Sequence, residues 1–380
     1  MKAETTFSLK DQLFNPEKVA YLADLIQAVH PEFAHDAFCE DVTAVFPTLE
    51  LKQRIDHIST MLHQHLPPDY PAALDILLRA LPPELDPNKT DDDFGDFIIS
   101  PLSHFVATYG CTAEHLSRSL NGLREITKRF SAEDAIRYFI NAFPKETMAF
   151  LAECAQSDNY HVRRLASEGT RPKLPWSQKL VIDYQQPLSI LDALFADPTR
   201  YVTRSVANHL NDVSKLDPAL VIDTLSRWQQ SGAQREKEMV FIVRHATRTL
   251  VKQGNLHALK LMGFGEEPDI TIIDFATTTP QVVVGDAFLF SLTIKANKPQ
   301  KLLVDYLMTF ASNGNKAGQK VFKLKQLDLK AGQSVTLRKK HPMRLMTTRR
   351  LYAGEHQITL QVNGKPFGSL TFDLITSEQQ

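Results

Sequence analysis

The sequence is poor in the residues that mark several classes of protein. It has 3 cysteines in 380 residues, Cys39, Cys111 and Cys154, and none of them forms a CxxC pair. This usage is typical of a reducing compartment rather than of a secreted, disulfide-stapled chain. No apolar run approaches ~18 residues, so no membrane span is expected. The N-terminal MKAETTFSLKDQLF lacks the apolar core of a secretion signal. Together these absences predict a cytoplasmic protein.

Motifs for bound nucleotides, serine nucleophiles and metals are also absent. The sequence contains no GxxxxGKS/T or GxGxxG phosphate loop and no GxSxG nucleophile motif. His63-Gln-His65 and Cys111-x-x-x-His115 have fragments of metal-ligand spacing but lack the partners that complete a four-ligand zinc site. We therefore expect neither a cofactor nor a metal.

The chain as a whole has no excess of positive or negative charge, but its two parts do. The chain has 43 Lys+Arg and 44 Asp+Glu, a net charge of −1, which by itself would argue against a nucleic-acid partner. Residues 269–380 contain 15 basic and 8 acidic residues, a net of +7, which leaves 28 basic and 36 acidic residues, a net of −8, in 1–268. A basic module therefore follows an acidic body, and the neutral total excludes nothing.

The basic module has the pattern of a β-sandwich. After GFGEEPD (263–269) come about seven short β-rich runs, separated by Gly, Asn, Pro and Asp, and one of these runs is QVVVGDAFLFSLTIKA (281–296). This spacing predicts an immunoglobulin-like antiparallel β-sandwich without a disulfide. Its positive charge is concentrated in Arg338, Lys339, Lys340, Arg344, Arg349 and Arg350. Such a cluster can bind a phosphate backbone, or it can protect an edge strand from aggregation.

The acidic body carries an internal repeat. VRRLA (162–166), VTRSV (202–206) and IVRHA (242–246) recur at a spacing of 40 residues, and the turn-like segments SDN (157–159) and DPT (197–199) precede the first two. A period near 40 with two helices per unit predicts a HEAT-like α-solenoid. The predicted fold class is thus mainly α, a HEAT-like solenoid followed by an immunoglobulin-like antiparallel β-sandwich.

One helix face recurs along this solenoid. Arg164, Glu168 and Arg171 are spaced i, i+4 and i+7, so they share a face. The matching positions of the next two repeats are Arg204, Asn208, Asn211, Arg244, Arg248 and Val251. For the recurring arginines we favour a structural role in the stack. The polar residues of VANHLND (206–212) are different, because other residues of that helix already supply its apolar face.

Three segments together resemble a known family. RFSAEDAIRYF (129–139), SDNYHVRRLASEGTRPKLPW (157–176) and YVTRSVANHLNDVSK (201–215) are similar to the DNA alkylation-repair glycosylases of the AlkC/AlkD type, and VRRLASEGTRPKLPW is closest to the AlkC branch. The added β-domain fits an AlkC subgroup. The resemblance implies a solenoid that grips duplex DNA and excises cationic N3-alkylated bases, 3-methyladenine and 3-methylcytosine, to leave an abasic site. AlkD relatives act without flipping the base into a pocket, unlike most glycosylases.

The resemblance also implies site residues. Glu133 and Asp212 are the expected catalytic carboxylates, and Trp176, in a Pro-rich loop, is the expected aromatic contact. The residues expected to contact DNA in the solenoid are Arg163, Arg164, Arg171, Lys173, Arg204, Asn208 and Asn211, and Arg338, Lys339 and Lys340 are added by the sandwich. Simpler roles stay open: a first-turn helix charge for Glu133, a cap or turn for Asp212, and a loop anchor for Trp176. Asn208 stands where AlkD relatives have a tryptophan.

The expected organisation follows from these patterns. We expect a helical cap over 1–95, a catalytic repeat domain over 96–262, a linker over 263–268 and a DNA-clamping sandwich over 269–380. The expected partner is double-stranded DNA with alkylated bases, bound by a monomer. Two other functions remain: a scaffold whose sandwich recruits a protein, and a DNA-structure binder that has lost catalysis.

Overall fold

The computed structural model describes residues 8–89, 91, 94–312, 318–344 and 350–375, and helices occupy the first two thirds of them. The α-helices in chain order are α1 Leu9–Leu13, α2 Pro16–Val29, α3 His35–Thr43, α4 Leu51–His65, α5 Tyr70–Arg79, α6 Ser100–Tyr109, α7 Leu116–Thr127, α8 Glu133–Ala142, α9 Pro144–Cys154, α10 Tyr160–Gly169, α11 Leu188–Leu194, α12 Arg200–Val213, α13 Pro218–Ser231, α14 Glu236–Ala246, α15 Arg248–Lys252 and α16 Leu256–Leu261.

The predicted repeat corresponds to successive packed helices. The three repeat segments lie in α10, α12 and α14, and α12 packs on both of the others. Val162, Val202 and Ile242, which occupy the same repeat position, are all fully buried. The apolar stripe of each unit is therefore covered by its neighbours, and the HEAT-like fold is confirmed.

The polar turns before α10 and α12 stabilise the start of each helix in a different way. Asn159 is the N-cap of α10, and its side chain accepts a hydrogen bond from the backbone N–H of His161 at 2.9 Å. Before α12, Asp197 instead accepts from the backbone N–H and the hydroxyl of Thr199, at 2.8 and 2.7 Å. Both polar turns satisfy backbone donors where the helix has no partner for them.

The β-strands form two sheets. They are β1 Ile270–Thr277, β2 Gln281–Val283, β3 Ala287–Ala296, β4 Gln300–Thr309, β5 Gln319–Leu329, β6 Ser334–Pro342, β7 Gly354–Val362 and β8 Lys365–Ile375. One sheet has the order β1-β3-β6 and the other β2-β8-β7-β4-β5. Pairing is antiparallel except between β2 and β8, which run parallel. The sandwich is confirmed; the run predicted as one strand over 281–296 divides into β2 and β3 at Gly285, whose φ is +106°.

The structure forms two compact units, whose membership differs from the expected domains. Among the described residues, one unit runs to Leu216 and includes Trp228–Ala246, and the other contains Asp217–Arg227 and the residues from Thr247 onward. In the second unit Phe264 is buried against Leu259 and Leu303, so part of the segment expected as a linker packs with the strands. The three boundaries between the expected segments stay predictions.

Candidate functional site

The site begins at the first turn of α8. Glu133 is the first residue of that helix, with Asp134 beside it, and acidic side chains are favoured there by the helix dipole. The Glu133 side chain is 23% exposed, and its Oε2 atom lies 3.5 Å from Nη1 of Arg164 on α10. Glu133 is therefore a carboxylate that has a cationic partner and is still open to solvent.

A chain of alternating charges continues from Arg164. Glu168 lies 3.6 Å from Arg164 and 2.6 Å from Arg171, and Arg171 reaches Oδ2 of Asp212 at 2.9 Å. Lys215 is 3.2 Å from the other oxygen of Asp212. The four inner members are almost fully buried, at 4–8% exposure for Arg164, Glu168 and Arg171 and 3% for Asp212. Such buried charges are tolerated because each has an opposite partner.

Glu168 is the carboxylate that lies between the two arginines of this network. Burial raises the pKa of its carboxyl group, but attraction to Arg164 and Arg171, together with a hydrogen bond from Ser205 at 2.6 Å, more than offsets burial. The net pKa is below the ordinary value, so Glu168 is ionised at neutral pH. Glu168 was not among the site residues expected from the sequence, although the i, i+4, i+7 stripe that contains it was a sufficient signal.

Arg164 also contacts two aromatic rings. Its guanidinium carbon lies 4.5 Å from the ring centre of Tyr201 and 5.8 Å from that of Phe94. It also donates to the hydroxyl of Ser131, two residues before Glu133 in the chain. Arg164 is thus enclosed by carboxylates and rings, and this geometry matches the structural role that the repeat favours.

Trp176 projects from the loop between α10 and α11. Trp176 is a large hydrophobic residue that is 82% exposed, and its backbone φ is +62°. The exposure expected from the neighbouring prolines is therefore seen. Trp228, in contrast, is 1% exposed, stacks on Phe195 at 4.6 Å and donates to Asp192 at 2.7 Å. It is a packing residue.

A cavity connects Trp176 with the first turn of α8. Its volume is about 320 Å³, and its wall includes Glu133, Asp134, Trp176 and, from the N-terminal helices, Lys52. Three phenylalanines, Phe94, Phe97 and Phe130, contribute apolar surface. We call this space the aromatic cavity. It combines two carboxylates with ring faces, the features that attract a planar or sugar-borne positive charge.

Among the solenoid residues expected to contact DNA, Arg163 is engaged by partners within the protein, whereas Lys173 is exposed. Arg163 is bonded to Asp197, at 2.5 and 3.2 Å, and to the carbonyls of Ser157 and Asp158. Consecutive helical residues point about 100° apart, so Arg163 cannot share the Arg164 face. Arg163 stabilises the turn before α10 through these bonds, and its expected contact with DNA stays a prediction. Lys173, in the Trp176 loop, is exposed.

The stripe on α12 is less accessible than its polarity suggests. Arg204 forms an ion pair with Asp91, and Asn208 contacts His245 at 2.8 Å. Asn211 is 2% exposed. Asn211 is therefore buried, and the contacts with DNA expected of Arg204, Asn208 and Asn211 stay predictions.

Three members of the basic cluster of the sandwich, Arg338, Lys339 and Lys340, lie on β6, which forms one edge of the three-stranded sheet. Arg338 and Lys340 are exposed on one face, while Lys339 is half-buried on the other, beside Leu337 and His341. Strand residues alternate between faces, so three consecutive cations cannot form one patch. Lys339 is thereby separated from the other two. Arg349 lies outside the described residues.

In the part of the chain that the structure describes, no group of three or more His, Cys, Asp or Glu side chains is arranged to hold a metal ion. None of the helices in that part combines the length and the apolar character that a bilayer span requires.

The fold and the site define the class of protein: a HEAT-like solenoid with clustered carboxylates and an added immunoglobulin-like sandwich. Residues 271–376 match the family model described as the C-terminal Ig-like domain of the uncharacterised protein YhaZ. The chain is 29% identical over 367 residues to YhaZ of Bacillus subtilis (strain 168), covering 96% of this chain and 98% of that one.

A solved structure is similar over nearly the whole chain. It is the alkylpurine DNA glycosylase AlkC of Pseudomonas fluorescens, bound to DNA containing an abasic site analogue, with a TM-score of 0.86 and 37% identity. The match covers 97% of this chain and 100% of that one. The protein belongs to the AlkC family, in the form that carries an immunoglobulin-like domain.

Proposed function

We propose that the protein is a DNA glycosylase that hydrolyses the N-glycosidic bond of cationic N3-alkylated bases in duplex DNA, leaving an abasic site. The observation that carries the proposal is Glu133, a partly exposed carboxylate beside the exposed Trp176 on the wall of the aromatic cavity. Membership of the AlkC family supports DNA as the partner, since the similar AlkC was solved on DNA with an abasic site analogue.

The proposed chemistry needs little from the protein. Alkylation at N3 gives the base a positive charge, so it is already a good leaving group and requires no proton. The reaction is limited by the positive charge that develops on the deoxyribose as the bond breaks. A carboxylate held close to that charge stabilises it and can orient a water molecule toward C1′, as in glycoside hydrolysis. We assign this role to Glu133.

The buried carboxylates have a different proposed role. Both oxygens of Asp212 are engaged by Arg171 and Lys215, and Glu168 is held between Arg164 and Arg171. Their charge is already balanced at short range, so in this geometry they orient the arginines rather than face the sugar. Asp212 is accordingly proposed as a positioning residue for Arg171, in place of the direct catalytic role expected from the resemblance.

Trp176 and the surface cations complete the proposed interface. An exposed indole can pack on a cationic base or on deoxyribose, with a cation–π attraction of about 0.5–2 kcal/mol. Lys173, in the same loop, is proposed to bind phosphate, and Arg338 and Lys340 are proposed to add phosphate contacts from the sandwich. These exposed cations have the salt-sensitive chemistry that backbone binding requires.

The proposal is tested by the bases that the protein releases. The protein is incubated with randomly methylated DNA in the presence of a chelator, and the released bases are identified by mass spectrometry. We expect N3-methylated bases in the supernatant, and 7-methylguanine serves as an internal comparison. Binding of the DNA with no released base would reject the glycosylase in favour of a DNA-structure binder, and neither binding nor release would favour a protein scaffold.

A further inference from the structure

The conformation of Trp176 requires an external constraint. A φ of +62° is unfavourable for a residue with a Cβ atom. The indole is 82% exposed, so packing of the side chain does not supply the constraint. Main-chain contacts of the loop must therefore hold this residue in place.

The two ends of the loop are fastened to α8. Arg137, which is 1% exposed, donates to the carbonyls of Gly169, Arg171 and Gln178 at 2.8–3.0 Å. Asn141 donates to the carbonyl of Lys179 at 2.8 Å and accepts from the backbone N–H of Val181 at 3.0 Å. These contacts fix residues on either side of Trp176 but do not reach its own peptide group.

Lys52 reaches the tip of the loop from a distant part of the chain. It is the second residue of α4, and its ammonium group donates to the carbonyl oxygen of Trp176. The same group lies 3.3 Å from Oδ2 of Asp134, which neighbours Glu133 in the first turn of α8. Lys52, Asp134 and Trp176 all line the aromatic cavity. One cation thus connects α4, the Trp176 loop and the turn that carries the proposed catalytic carboxylate.

We propose that Lys52 is a positioning residue that holds the Trp176 indole at a fixed place relative to Glu133. The N-terminal helices then take part in the reaction instead of only covering the end of the solenoid. This inference rests on the proposed function for its kinetic consequence, but the link between Lys52 and Trp176 exists without DNA. Charge-assisted bonds of this kind orient groups well, and a small misplacement near a reacting centre slows the chemical step strongly.

The test compares Lys52→Met, which keeps the length of the side chain but not its donor, with Lys52→Arg, which restores a cationic donor. Lys145→Met, at an exposed position of α9, is the matched control. Because the Lys52 side chain is 57% exposed, its replacement is expected to leave the fold intact, which thermal unfolding checks. The second readout is fluorescence anisotropy of Trp176 in a Trp228→Phe background, without DNA.

We expect Lys52→Met to lower the anisotropy of Trp176 and to slow single-turnover base release about 10-fold, while duplex affinity changes less than about 2-fold. Lys52→Arg should recover most of both losses, and Lys145→Met should resemble the parent. An unchanged anisotropy in Lys52→Met, or a rate loss that Lys52→Arg does not recover, would overturn the inference. If the parent protein releases no base, the proposed function fails, whereas the anisotropy measurement still decides whether Lys52 holds Trp176.

Discussion

Replacing Glu133 with glutamine tests the proposed chemistry most sharply. Glutamine keeps the size of the side chain and an oxygen that can accept from Arg164, 3.5 Å away, but it removes the negative charge. A unit charge about 4 Å from the developing sugar cation contributes about 4 kcal/mol at an effective dielectric constant near 20. The nearby guanidinium offsets part of this attraction. We expect a net loss of about 2–3 kcal/mol, which corresponds to about a 10²-fold slower reaction.

The assay is single-turnover release of the base from a duplex that contains one N3-alkylated base, with enzyme in excess. The matched control is Glu146→Gln, because Glu146 is an exposed acid in the first turn of the next helix, α9. The control should retain the parent rate, and both variants should keep the parent unfolding temperature to within a few degrees. A folded Glu133→Gln variant with an undiminished rate would refute the assignment of Glu133.

Three further predictions concern binding and stability. Arg338→Gln with Lys340→Gln should reduce the slope of log K against log salt by about 2, at about 0.9 per lost phosphate contact. His209 is buried and the pKa of its ring is lowered to about 4 by desolvation, so the folded state resists protonation and its stability falls as pH decreases through the range from 6.5 to 4. The stability that the parent loses between pH 7 and pH 5 should exceed that lost by His209→Gln by about 2 kcal/mol. Gly169→Ala should cost about 1–3 kcal/mol, because its Cβ atom would lie 2.5 Å from a side-chain carbon of α8, whereas Gly122→Ala, with 3.4 Å of room, should cost less.

Each of these predictions has a result that contradicts it. For the β6 cations, DNA binding is measured over a range of salt concentrations, with Lys145→Gln as the control. Equal slopes of log K against log salt for the parent and the β6 double variant would contradict the proposal. For the histidine, equal pH dependence of urea unfolding in parent and variant would mean that the imidazole does not titrate as its burial requires. For the glycines, equal unfolding free energies of the two alanine variants would show that α8 and α10 can move apart at no cost.

Much of the fold was predictable because the repeat is a local property of the sequence. Equivalent residues 40 apart, such as Val162 and Val202, are each buried by the adjacent repeats, so the architecture leaves a periodic signal in the sequence. The β-strands were predictable for a similar reason, since turn residues separate alternating runs. The division at Gly285 was missed because the residues on both sides are equally rich in β-formers.

The candidate site was predictable only in part, because its contacts join distant residues. The stripe from Arg164 to Arg171 follows from helix geometry, but the bond from Lys52 to Trp176 spans 124 residues and leaves no pattern in the sequence. Nor does spacing distinguish Glu133, which stays partly exposed, from Asp212, whose oxygens are engaged by Arg171 and Lys215. Accessibility and pairing are decided by tertiary packing, which local sequence does not specify.

We propose that this member of the AlkC family excises a cationic alkylated base by hydrolysis. The most direct measurement uses a defined duplex with one N3-methylated base, incubated in chelator, in which the released base and the abasic site are both counted. We expect one abasic site for each base released and a strand that is cut only after alkali treatment. Tight binding of this duplex without release of the base would contradict it.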